Sequence, residues 1–142
     1  MSINRILMKP QSSDVGNALI MTMGQQSSQY GYSRYNNISY GEVEGNVEHE
    51  GKAVTLVMFS YYSSWLVFVF NIEGVTSGKY NATVKVTSVE SNTSVTIEFP
   101  NSQYQSYFSG FYGSTNKLPS GVATMFNGKN VGKKFKVEIV FN

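Results

Sequence analysis

Apolar and polar residues alternate with a period of two along much of the chain. The C-terminal stretch is the clearest case. Phe135, Val137, Ile139 and Phe141 fall on one side, and Lys134, Lys136 and Glu138 on the other. That is the pattern of a strand with one buried face. Residues 42 to 50 read likewise, with Glu42, Glu44, Asn46, Glu48 and Glu50 opposite Val43, Gly45, Val47 and His49. Ala82, Val84 and Val86 alternate with Thr83, Lys85 and Thr87. Val95, Ile97 and Phe99 alternate with Thr96 and Glu98, and Pro100 is expected to stop that strand, since proline brings no N–H to a ladder. Leu19 to Met23 and Val122 to Phe126 are weaker strand candidates. Nowhere do apolar residues recur at i, i+3, i+4 and i+7 over a dozen residues, so no long helix is expected.

One stretch departs from simple alternation. Positions 53 to 72 carry no charge, a length that would suit a membrane-spanning helix. Its middle, however, is Ser60-Tyr61-Tyr62-Ser63-Ser64, polar where a bilayer is driest. The flanking runs, 53 to 59 and 65 to 70, are rich in β-branched and aromatic residues and have the length of strands. They predict a β-hairpin. Both runs are apolar at odd and even positions alike, so each strand should be covered on both faces, by a second layer or by another subunit.

Turn-forming pairs fall between the runs: Glu73-Gly74, Ser77-Gly78, Ser91-Asn92, Ser120-Gly121 and Asn127-Gly128. Seven to nine short strands with such punctuation predict an all-β fold, an antiparallel β-sandwich or a jelly-roll-like barrel with little or no helix. The 142 residues suit a single β domain. Residues 1 to 37 are the least periodic part and read as an N-terminal arm or an edge-strand segment. The first ten residues lack the apolar run of a secretory signal, so none is expected there.

Composition narrows the chemistry. Only 14% of residues are charged and the net charge is +2, which disfavours a nucleic-acid binder. No cysteine is present, so disulfides, thiolate metal sites and cysteine nucleophiles are excluded together. One histidine (His49) and one aspartate (Asp14) stand beside eight glutamates. That set offers neither a catalytic triad nor a calcium loop, and no phosphate-binding or dinucleotide string occurs. A glycosidase-type carboxylate pair would have to come from Glu73, Glu90, Glu98 and Glu138. The expectation is a protein that is not an enzyme, with no catalytic residues, no metal and no cofactor. His49 reads as a structural histidine. The three Asn-x-Ser/Thr sequons, at Asn37, Asn81 and Asn92, are no more than chance places in a chain this rich in Asn, Ser and Thr.

Two segments are built almost wholly from Tyr, Ser, Gly, Asn and Gln: 25 to 41 and 101 to 116. Tyrosine supplies a broad, stiff contact surface with a polar tip, and the small polar residues supply adaptable hydrogen bonds. Tyr30, Tyr32, Arg34, Tyr35, Tyr104, Tyr107, Phe111 and Tyr112 are therefore the candidate partner-binding residues. Capping of the fold's open ends is the plainer use of these rings. A sugar site, with Tyr104, Tyr107, Tyr112 and Trp65 stacking on the ligand, is a third.

The charge that exists is segregated. Residues 42 to 50 hold four glutamates and no Lys or Arg; residues 129 to 136 hold four lysines and no acid. The two runs would meet either across strands of one sheet or between subunits of a ring. Taken together, a cysteine-free, charge-poor chain rich in Asn, Ser, Gly and Tyr resembles in general character the small virion components of tailed bacteriophages. The resemblance implies a non-enzymatic structural or attachment subunit of a homo-oligomeric assembly, located in a virion, whose partners are its own copies and other structural proteins. The alternative is a lectin-like carbohydrate-binding module that meets a cell-surface glycan. Neither reading involves nucleic acid or a membrane span.

Overall fold

A computed structural model describes residues 17–25, 38–62 and 64–142. They form eight antiparallel strands: β1 (Ala18–Gln25), β2 (Ile38–His49), β3 (Lys52–Tyr62), β4 (Trp65–Ile72), β5 (Lys79–Ser88), β6 (Ser94–Gln105), β7 (Gly110–Thr115) and β8 (Lys134–Phe141). A single-turn helix, α1 (Val122–Met125), and a 3₁₀ turn at Gly128–Asn130 lie between β7 and β8. The sheet closes in the order β1-β2-β3-β4-β7-β6-β5-β8, with β8 returning to β1. The all-β expectation holds, and of its two forms the barrel is the one observed. The first four strands make a meander. Strands β4 to β8 make two overlapping Greek keys, β4–β7 and β5–β8, because the β4–β5 connection crosses one end of the barrel and the β7–β8 connection crosses the other.

The alternating residues dictate which side faces in. Leu19, Met21 and Met23 of β1, Val84 and Val86 of β5, Ile97 and Phe99 of β6, and Phe135 and Val137 of β8 are all buried in one core. Period two in the sequence is therefore the inside and outside of the wall.

The 53–72 stretch is the predicted hairpin, and no helix among the described residues is long and apolar enough to cross a membrane. Its double-sided apolar character has two physical sources. In β3, Leu56 pairs with Phe70 but Met58 with Val69, so Val57 is an extra residue, a β-bulge. The bulge switches the inward parity from Val54 and Leu56 to Phe59 and Tyr61. The Val57 carbonyl that it displaces accepts a hydrogen bond from the Tyr40 hydroxyl at 2.8 Å. In β4, by contrast, both faces are covered, and Leu66 through Phe70 are all fully buried.

Two local expectations are corrected. Pro100 does not end β6, which runs on to Gln105. Ala82 pairs with Phe99 and Tyr80 with Ser102, so Pro100 and Asn101 together face Asn81 in a bulge, where a missing N–H costs the ladder nothing. Residues 122–126 are not a strand. Val122, Met125 and Phe126 are buried at i, i+3 and i+4, which is one face of a helical turn.

Candidate functional site

Rings fill the inside of the barrel. Phe59, Phe68, Phe70, Phe99 and Phe111 are fully buried and interlock at centroid separations of 5.0 to 6.3 Å. Eight strands enclose just enough space for side chains, and here large side chains occupy it. At the end that carries the β2–β3 and β6–β7 turns, His49, Tyr80, Tyr104 and Phe141 close the opening. His49 lies 4.7 Å from Phe141 and Tyr80 lies 4.9 Å from Phe111, ring to ring. His49 is thus a packed ring of the end cap. At the opposite end α1 is the plug, with Phe126 5.4 Å from Phe59 and 6.1 Å from Tyr61.

The features that a partner can reach lie outside. On the outer face of β3, β4 and β7, Met58, Val67 and Val69 form a second apolar cluster, with Val57, Tyr62, Phe108 and Tyr112 packed against it. Phe108 stacks on Tyr112 at 5.2 Å and 18°, and Tyr107 meets Phe108 edge-on at 4.9 Å. The short turn from Gln105 to Gly110 sets this row. Phe108 N–H donates to Gln105 O, Ser109 N–H donates to Ser106 O, and the Asn71 side chain of β4 donates to Ser109 O at 2.7 Å. At the other end of the same face Trp65 pairs with Tyr62 across the hairpin. Tyr107 is 73% exposed and Trp65 is 40% exposed, so rings border a buried apolar strip at both ends.

The sequence-derived candidates divide accordingly. Tyr30, Tyr32, Arg34 and Tyr35 lie outside the described residues. Segment 101–116 is a β-hairpin (the end of β6, a turn and β7). The turn carries Tyr107, which is exposed, while the strand period of β7 sends Tyr112 to the outer face and turns Phe111 into the core, where it is fully buried and offers no surface, with half-buried Tyr104 against it. Tyr62 and Phe108 belong to the outer row and were not among the candidates. The signal for them was the uncharged, doubly apolar β4, which required a cover on its outer side.

The carboxylates do not converge. Glu90 pairs with Lys133 at 3.0 Å and Glu138 with Lys136 at 3.9 Å. Glu98 sits opposite Thr83 on the outside of the wall, and Glu73 is exposed at the end of β4. Asp14 is outside the described residues. Among the described residues no group of three or more His, Cys, Asp or Glu is placed to hold a metal ion. Glu42, Glu44 and Glu48 of the acidic run lie on β2 and Lys134 and Lys136 of the basic run on β8, the two neighbours of β1, while Lys129 and Lys133 precede β8. Lys134 reaches over β1 to Glu44 at 3.1 Å, a pairing within one chain.

Compared with known proteins, the chain matches no family model, no curated protein and no solved structure. The class it can be assigned is thus the one its own geometry defines, a closed eight-stranded antiparallel barrel with a ring-packed interior and an aromatic outer row.

Proposed function

We propose that this protein is a non-catalytic structural or attachment subunit that associates with copies of itself through the outer face of β3, β4 and β7. The observation that carries the reading is the row of rings that covers the apolar strip, with Tyr107 and Trp65 exposed at its two ends. Aromatic rings around a desolvated apolar centre are the composition of a binding hot spot. The ring-filled interior supports the same reading, since it leaves the outer surface as the working part. A virion component of a tailed bacteriophage is the kind of assembly that the composition suits. Exposed Tyr107 also suits the face of a sugar ring, which keeps the lectin-like alternative as the competing outcome.

The experiment is mass measurement across concentration by sedimentation, for the wild type and for Tyr107→Ser and Trp65→Ser. Association in the wild type, weakened about tenfold or more in either variant, is the expected result. A wild-type protein that stays monomeric at high concentration overturns it. So does a glycan selected on an array and lost in Tyr107→Ser.

A further inference from the structure

A cleft of about 450 Å³ opens at the plugged end of the barrel, between the β5–β6 turn and the α1 segment, and none of its lining residues comes from β3, β4 or β7. Its size falls within the range of small-molecule sites. Val95, Met125 and Phe135 line it with apolar surface, and all three are buried core residues. Around them Ser88, Ser91, Thr93, Ser94, Ser120 and Thr124 contribute hydroxyl groups.

Both walls are braced. On one side the Asn130 amide donates to Thr124 O at 3.1 Å and Met125 O at 2.8 Å, fixing α1 to the 3₁₀ turn. Gly121, at φ +96°, starts α1 in a conformation that a side chain would strain. On the other side the β5–β6 turn is held by Asn92 N–H to Ser88 O at 2.8 Å and by Ser91 Oγ to Thr93 Oγ1, also at 2.8 Å. A concavity between two hydrogen-bonded walls is formed before any ligand arrives, so little ordering cost falls on binding.

The lining also specifies the ligand's chemistry. Hydroxyls both donate and accept: Ser88, Ser91, Thr93 and Ser94 are each engaged once within the protein, and their remaining capacity, with the hydroxyls of Ser120 and Thr124, suits a ligand that does the same. Of the cleft's two charged residues, Glu90 is already neutralised by Lys133 at 3.0 Å, and Lys129 is an exposed cation at the edge, which adds little to the hold on an ionic ligand. The ligand that fits is neutral, with hydroxyls around its edge and one C–H face. We infer that this cleft is a carbohydrate site that takes a single neutral hexose unit, free or at the end of a glycan. It is a second binding function, independent of self-association through β3, β4 and β7.

The test uses the full chain and a panel of neutral monosaccharides, followed by NMR. The probes are the methyl signals of Met125 and Val95. At least one hexose should shift them, with a dissociation constant in the millimolar range that a ligand of this size reaches in an open cleft. Thr124→Trp, which fills the cleft from the exposed side of α1, should weaken that binding by tenfold or more. Lys129→Ala keeps the cleft open and should leave it within about threefold, because no ionic contact is required. Backbone shifts elsewhere should stay unchanged in both variants, which separates loss of the site from loss of the fold. The inference fails if no sugar in the panel moves these signals. It also fails if the shifts survive Thr124→Trp or centre on Tyr107 and Trp65. Should Thr124→Trp not fold, Ser94→Trp fills the opposite wall and is read in the same way.

Discussion

Gly113 of β7 faces the core at a point where nothing larger fits. A Cβ there would meet Ser102 Oγ and approach the Phe99 Cβ to 3.0 Å. Ser102 is itself fully buried, and its hydroxyl donates to Phe99 O at 3.2 Å, beside the β6 bulge. Gly113→Ala is therefore an overpacking change and should cost about 1–3 kcal/mol in denaturant unfolding. Ser102→Ala alone should cost about 1 kcal/mol for the lost hydrogen bond. Because Ser102 Oγ is the atom in the way, the double variant should be less destabilised than the two single costs summed, and strict additivity would contradict this packing. At the residue scale the sequence was legible wherever a strand's parity was. Phe135 and Val137 could be placed in the core from alternation alone. Phe111 could not, because its neighbours Tyr, Ser and Gly carry no contrast between an inward and an outward side.

The elements that sequence reasoning misread share a cause, which is a local irregularity that alternation does not encode. Pro100 reads as a terminator, yet β6 passes through it because the extra residue Asn101 absorbs the change. Asn101 holds φ at +56°, and its N–H is received by Asn81 Oδ1 at 2.9 Å. The bulge also keeps Ser102 facing inward, in step with the partner strand. Asn101→Val should lose about 1–2 kcal/mol, since a β-branched residue resists that backbone, whereas Asn101→Gly should be close to neutral. Thermal unfolding of the pair checks this, and equal losses in both would locate the cost in the side chain instead. α1 was similarly hidden. Its i, i+3, i+4 face spans a single turn, too short for a periodicity window, and its apolar residues look like a strand. The candidate site was half legible at this scale. The double-sided character of β4 announced an outer cover, but which rings provide it depends on the β6–β7 turn, which only the fold fixes.

At the scale of the molecule, closure puts the acidic β2 and the basic end of β8 on either side of β1, and the pair Glu44–Lys134 bridges them in the open. Segregated charge was plain in the sequence. That it would be partly spent within one chain followed from the strand order, which alternation leaves undetermined. An exposed pair of this kind contributes little. Glu44→Ala should lower stability by less than about 1 kcal/mol at low salt. High salt should narrow the difference between wild type and variant, in chemical denaturation at two ionic strengths. A loss well beyond that would assign Glu44 a role that its surroundings do not show.

Closure has a mechanical side as well. The seam of the barrel joins β1 to β8, and Ala18 lies against Glu138, so the start of the first strand and the end of the last leave the wall at the same rim. Tension drawn through those two points would act across the ladder and peel it open one rung at a time, the most compliant way to load an antiparallel pair. A particle built from such subunits would need to carry its stress sideways, through their flanks, and keep it off the seam.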